Sequence, residues 1–462
     1  MNDPVKQPQG VGIPSLACPG IVWPAIPERP AADILALQYQ LNRTQWWPAK
    51  TLLAAQLGQL EQLIRHAART VPFYGARLKS LKDVKPGTLM PEDLARILIL
   101  KRGDVQTAGD DLLSHDIPRD HGAVRIVQTS GSTGRPITVR VTGATGLYGA
   151  ALNLRYHLWH GRAFSARVCC IRNLTGAAAK FAENDEATGW IPGFRSGEMF
   201  YFDITRPVGE QLAWLADKDP DYLLTFPTNL KALLRQSRES GVRPRKLRQV
   251  ATMSETLDPA LRESCRDVWN AALSDSYSSE ELGLIALQCP DHPHYHLQAE
   301  SLFAEVLHED GTPCGPGQTG RLVLTDLHNF ATPLIRYEIG DYAEIGEACP
   351  CGRGLPVLNH INGRTRNMLT LPTGDKIWPS FPEDRMMPIA PIRQFQIIQH
   401  DLRRVEARLV AARQLTDDEA GRMRIFLASC LGHDFEIELV FVDEIARSAG
   451  GKYEDFISHV DL

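Results

Sequence analysis

The sequence contains no apolar run approaching the ~20 residues that a membrane-spanning helix requires. It carries no large excess of one charge either. Fifty Lys and Arg stand against 55 Asp and Glu, a formal net charge of -5, so nothing draws the chain to a nucleic acid or an anionic membrane. The absence of a fixed-period repeat or low-complexity tract excludes a solenoid or a propeller. The first thirty residues lack a basic segment followed by an apolar one, so no secretory signal is expected and a cytoplasmic location is. The nine cysteines are scattered through a long chain. Without an export signal they read as reduced thiols or metal ligands rather than a disulfide framework.

What is present outgrows one core: 462 residues predict two or three domains. Pro14, Pro19, Pro24, Pro27 and Pro30 make residues 1–30 an extended arm, because proline fixes φ and removes the N–H donor. Two helices follow. Leu53, Leu57, Leu60 and Ile64 form one stripe, and the second helix should stop near Thr70, ahead of Pro72. From Val124 the chain turns to short β-rich runs at 124–127, 137–141, 166–171, 222–226, 249–253 and 273–277. They alternate with helical stretches at 208–216 and 228–240. Residues 302–345 read as antiparallel β, with a hairpin turn at His308–Gly311.

Beyond Arg364 a β-β-α-β pattern emerges. Strands are expected at 394–400, 402–410 and 436–442, with a helix to Leu431 opened by the capping box Thr416–Glu419. The predicted class is therefore α/β. A large multi-subdomain N-terminal domain (31–365) follows the arm, and a small mobile α+β domain (366–462) closes the chain.

Three clusters carry chemistry. Thr129-Ser130-Gly131-Ser132-Thr133-Gly134-Arg135-Pro136 concentrates glycines and hydroxyls that can wrap an anion with N–H and O–H donors. It lacks Walker A spacing, and a period-2 run follows it rather than a helix. A polar hairpin turn would look the same. Asp275–Gly283 ends a strand in hydroxyls and two acids, Glu280 and Glu281. They could set Tyr277 beside a base and a carboxylate on Mg²⁺, or merely cap a solvated helix. In the third, Asp341 follows Gly340 in a turn suited to a sugar diol, with Arg336 able to pair with it or with phosphate; a surface hairpin fits equally.

Together with Gly363-Arg364 and Gly450-Gly-Lys452, these motifs occur in the order that resembles the adenylate-forming superfamily. Arg69–Tyr74 and the short C-terminal domain resemble its phenylacetate–CoA ligase branch. The resemblance covers the chain from about residue 30 onward. It implies that Thr129, Ser130, Gly131, Ser132, Thr133 and Gly134 hold the ATP β- and γ-phosphates. It further implies that Tyr277 flanks adenine and substrate, Glu281 binds Mg²⁺ and Asp341 takes the ribose hydroxyls. Arg364 and Arg336 would lie by the nucleotide, and Lys452 would reach the reacting carboxylate and α-phosphate. The carboxylate is its own nucleophile, so no Ser or Cys is needed. Two positions depart from the pattern: Ser278-Ser279-Glu280 precedes Glu281 where the family has Gly-x-(Ser/Thr), which leaves Glu280 able to share the Mg²⁺ with Glu281, and Arg366 stands where the hinge usually carries Asp.

Cys289, His296, Cys349 and Cys351 resemble a Cys…His…Cys…Cys set of related sequences and imply a structural zinc site, with His292 and His294 competing for the histidine position. Phe226, Pro227, Met253, Ser254 and Tyr277 are candidates for the acyl pocket of an aromatic or medium apolar acid, although Phe226 and Met253 serve equally as core. The expected activity is ATP- and Mg-dependent formation of an acyl-AMP, then a thioester with CoA. Transfer to an amine or a carrier-protein thiol is the alternative, and a zinc-stabilised nucleotide-binding protein without catalysis is a third reading. The partners expected are a small carboxylic acid and CoA, with no nucleic acid or membrane. A homodimer is a candidate assembly.

Overall fold

A computed structural model describes residues 18, 20, 21, 24, 26–129, 136–174, 188–447 and 452–460. Most of the proline-rich arm, Ser130–Arg135 of the hydroxyl-rich loop, and Gly450 and Gly451 lie outside these residues. The chain divides into two compact units, one of Met1–Ile339 and Ala343–Ile361, the other of Gly340–Tyr342 and Asn362–Leu462. Among the described residues, no helix is long and apolar enough to cross a membrane.

In the first unit β1 (Arg125–Gln128) and β2 (Thr138–Val141) form an antiparallel hairpin. A large sheet is built from β3 (Val168–Arg172), β4 (Thr188–Gly189), β5 (Glu198–Asp203), β6 (Tyr222–Thr225), β7 (Gln249–Met253) and β8 (Ala272–Ser279). It continues through β9 (Gly283–Gln288), β10 (Tyr295–Leu297), β11 (Leu302–Leu307), β12 (Thr319–Asp326), β13 (Tyr337–Ile345) and β14 (Val357–Arg364). The spatial order is β11-β12-β13-β14-β10-β9-β8-β7-β6-β3-β5-β4. Strands β5, β3, β6, β7 and β8 run parallel, and the sheet turns antiparallel from β9. The expected α/β alternation is thus found in the parallel half.

Strand side chains alternate between faces, and helices cover both faces of this half. On one, Cys169, Ile171, Leu223 and Val250 pack on Leu212, Leu215, Leu230, Leu233 and Leu261 from helices Val208–Lys218, Pro227–Ser240 and Ala260–Trp269. On the other, Val168 and Tyr222 pack on Ile34 and Leu41 of Ala31–Thr44 and on Ala151 and Leu152 of Gly143–Trp159. Each fully buried leucine contributes roughly 1.5–3 kcal/mol.

The second unit has its own core. Strands β15 (Leu369–Thr370) and β16 (Lys376–Ile377) pair, and β17 (Ile392–Gln399), β18 (Arg404–Ala411), β19 (Glu436–Phe441) and β20 (Phe456–Ser458) form a sheet ordered β19-β18-β17-β20. Helix Asp417–Leu431 lays Met423, Leu427 and Leu431 on it. Its capping box is in place: the Thr416 hydroxyl accepts from Glu419 N, and the Glu419 carboxylate accepts from Thr416 N. The expected β-β-α-β order is completed by β20, which adds in parallel beside β17.

Candidate active site and metal centre

The parallel strands end together, and open α/β sheets place their ligands beyond such carboxyl ends. Ladder pairs join Leu224 to Ala251, and Met253 to Ser276, so Phe226, Met253, Ser254 and Tyr277 are gathered along one edge. Strand β8 is bulged between Tyr277 and Ser278, at one of the two departures from the family pattern. A bulge re-aims the following side chains. The turn after it closes with Ser279 Oγ accepting from Leu282 N and with Gly283 at φ 70°, a conformation that favours glycine. Glu280 points to solvent while Glu281 is 7% exposed, which separates the two acids.

The Tyr337 hydroxyl donates to Glu281 Oε1 at 3.3 Å. Burial, with the adjacent Glu281 carboxylate, holds the phenol well above its ordinary pKa, so it remains a donor. Arg102 interacts with the same phenol and donates from Nη2 to Thr129 Oγ1 at 3.1 Å. Thr129 closes the base of the hydroxyl-rich loop: its N–H donates to Ile137 O, and its Oγ1 accepts from Ile137 N. A bridge between Leu100 and Tyr337 brings these distant segments together. The result is a polar chain from the loop base through Arg102 and Tyr337 to a buried carboxylate that keeps acceptor capacity for a divalent cation. Tyr337 lies inside a motif read from sequence. Arg102, at the start of the short helix Arg102–Ala108, has no local signature and was missed.

Arg336 requires a correction. Rather than facing Asp341 or a nucleotide, its guanidinium makes a bidentate pair with Glu305 at 2.9 Å and donates to the carbonyls of Leu94 and Ile97. The residue is 4% exposed. Its φ of 52° turns the chain into β13 and directs the side chain into the core, where planar fork geometry suits a carboxylate and two carbonyls. Burial raises the Glu305 pKa and Arg336 opposes the shift. Tyr74 braces the approach: its hydroxyl donates to Pro333 O and accepts from Ile335 N.

In the second unit, Asp341 Oδ1 lies 3.6 Å from Arg364 Nε, after Gly340 at φ 90°. Lys452 is half-buried. Two residues on, Glu454 accepts from Arg366 Nη2 at 2.6 Å and Nε at 3.0 Å, and Asn367 Nδ2 donates to Phe456 O. Arg366 therefore anchors the strand that follows Lys452. Of the acyl-pocket candidates, Phe226 is 4% exposed within the helix-facing core, whereas Met253, Ser254 and Tyr277 are half-buried.

The ligand atoms of Cys289, His296, Cys349 and Cys351 all lie within 4.8 Å of one another. Strand β10 places His296, the β9–β10 connection places Cys289, and the β13–β14 connection brings the Cys-Pro-Cys pair. Cys289 Sγ is 3.8 Å from Cys349 Sγ, and Cys351 Sγ is 3.5 Å from His296 Nε2. A tetrahedral ion with metal–sulfur and metal–nitrogen bonds of about 2.3 and 2.05 Å has edges of about 3.8 and about 3.5 Å. Of His292, His294 and His296, it is His296 whose ring nitrogen joins the three thiols within 4.8 Å. His294 takes a supporting place, with Nε2 2.9 Å from Cys349 Sγ. Burial raises the pKa of the Cys289 and Cys349 thiols, a cost that a bound cation would reverse. Arg353 stacks over Trp46 and Trp159 at 4.7 and 4.5 Å, and Trp159 meets His296 edge-on.

Residues 369–459 match the CapK C-terminal domain family. Phenylacetate-coenzyme A ligase of Thermus thermophilus is 28% identical over 394 residues, 81% of each chain. That of Pseudomonas putida is 24% identical over 355 residues, 72% of this chain and 75% of its own. Among solved structures, 2-hydroxyisobutyryl-CoA ligase in its postadenylation state with R3-HIB-AMP superposes with a TM-score of 0.72 at 20% identity, covering 90% of this chain and 91% of that one. The chain thus has phenylacetate–CoA ligases as homologues and the fold of the adenylate-forming CoA ligases.

Proposed function

We propose that this homologue of the phenylacetate–CoA ligases activates a carboxylic acid with ATP to the acyl-adenylate and transfers the acyl group to CoA. In the first step a carboxylate oxygen forms a bond to the α-phosphorus while the bond to the pyrophosphate oxygen breaks. In the second the CoA sulfur bonds to the acyl carbon, AMP leaves, and the thiol proton is released. Both steps need charge neutralisation around phosphate more than a protein nucleophile.

The observation that carries this reading is the chain Thr129–Arg102–Tyr337–Glu281, which ties a hydroxyl-rich loop to a buried carboxylate. Residues 129–134 would cradle phosphates, and Glu281 would hold Mg²⁺, which when bound neutralises phosphate charge. Asp341, beside Arg364, would accept the ribose hydroxyls, and Lys452 would face the α-phosphate. Met253, Ser254 and Tyr277 would border the acid. The Cys289–His296–Cys349–Cys351 set suits zinc, and four protein ligands leave no position for chemistry, so its role is structural.

Acid-dependent ATP–pyrophosphate exchange tests the first step, and AMP release with and without CoA tests the second. Lys452→Ala is expected to lose exchange by about 10²–10³-fold while still forming thioester from supplied acyl-adenylate. Equal loss of both half-reactions would exclude its assigned role.

A further inference from the structure

At the edge where the acid is expected stands a cation with no assigned role. Arg172 is the last residue of β3, at the carboxyl end of the parallel sheet. Val168 packs toward helix Gly143–Trp159, whereas Cys169 and Ile171 pack on the opposite face. Alternation therefore puts Arg172 on the Gly143–Trp159 side. The same reasoning places Met253 there, because Val250 joins the opposite core and Ala251 packs on Tyr156 of that helix. Ladder pairs Cys170–Leu224 and Leu224–Ala251 set the level, and two residues further along are Arg172 and Met253, about 10 Å apart across two strand spacings.

Arg172 is half-buried, and its Nε is shielded from solvent and has no hydrogen-bond partner among the described residues. The carboxylate opposite it on β5, Asp203, is turned away: its Oδ1 accepts from the N–H and hydroxyl of Thr205. A guanidinium in a partly dry crevice gains most from a planar anion that takes two parallel hydrogen bonds.

We propose that Arg172 receives a second anionic group at the far end of the acid, so that the substrate class is a carboxylic acid bearing a distal carboxylate. The proposal rests on the adenylation reading and narrows it. Matched pairs of equal length decide it: glutarate against pentanoate, adipate against hexanoate, 4-carboxyphenylacetate against phenylacetate, each compared by kcat/KM in pyrophosphate exchange. The diacid should be favoured in at least one pair. Arg172→Gln should shrink that diacid-to-monoacid ratio by about 10–100-fold, and Arg172→Lys should keep part of it. A ratio unchanged by Arg172→Gln, in protein with wild-type melting behaviour, overturns the assignment, as does a preference for the monoacid in every pair. Should no acid drive exchange, the adenylation reading fails by itself. Thermal-shift titration of the wild type and Arg172→Gln with the same pairs then still decides whether Arg172 holds the anion.

Discussion

Two places in the N-terminal unit collect polar side chains from segments far apart in sequence, and they are finished differently. At the Cys/His cluster, four soft ligands close on one point, with His294 behind them. At the Glu281 turn, a buried carboxylate receives one long hydrogen bond from Tyr337, while Arg102 faces both that phenol and the loop base. A closed coordination set contributes stability; a buried carboxylate with oxygen lone pairs to offer is suited to a ligand that arrives and leaves. On the proposed reading the first is a fastening and the second a working site.

The hardest blow to this contrast would come from Glu281→Gln. It should cut acid-dependent exchange by about 10²–10³-fold with little change in melting temperature, while Glu280→Gln should stay within about twofold, as expected of an exposed side chain. The opposite ranking of the two variants would move the metal-binding role to Glu280. Arg336→Met tests a brace that is neither fastening nor working site. It leaves Glu305 buried and unpaired, a loss of about 3–5 kcal/mol that denaturant unfolding would read, with kcat per folded molecule preserved.

Cys349→Ser should empty the cluster. Metal analysis should fall from about one zinc per chain to none, and the melting temperature by about 5–10 °C, with exchange per folded molecule retained. The pH dependence has a definite sign. The ligands must be deprotonated to bind, and burial raises the Cys289 and Cys349 thiol pKa values, so metal should be held at neutral pH and lost to a chromogenic chelator as pH falls. Retention of zinc after Cys349→Ser would count against this ligand set. Tyr337→Phe should have a modest effect: about 3–10-fold in kcat/KM, with the Mg²⁺ concentration for half-activation raised. An unchanged Mg²⁺ response would detach Tyr337 from the site.

Much of this was legible in the sequence. Periodicity exposed the strands of the parallel half and the β-β-α-β unit, and caps such as Thr416–Glu419 marked a helix start, because these signals are local. Helix Gly143–Trp159 went unread. Gly146 and Gly149 each cost it about 1 kcal/mol of intrinsic propensity, and the Thr142 cap with tertiary burial of Ala151, Leu152 and Leu154 offsets that. Strand β10 hides among the histidines and prolines of a loop-like stretch and becomes a strand only by pairing with β9 and β14. Chemistry followed the same division. Glu281 and the three cysteines were singled out through the family resemblance, and the fold buries Glu281 and brings the cysteines together with His296. The inward turn of Arg336 was not, because it depends on Glu305 and on the carbonyls of Leu94 and Ile97, none of which is near it in the chain.

The position of Arg353 carries an optical consequence. Its guanidinium lies over two indoles, and one of them meets His296 edge-on. Trp46 and Trp159 are thus built-in chromophores wired to the cluster: their emission depends on how that guanidinium and that imidazole are held. With the other six tryptophans replaced by phenylalanine, the ultraviolet fluorescence of these two should follow whether the cluster is intact, in real time and without touching the site where the acid would be activated.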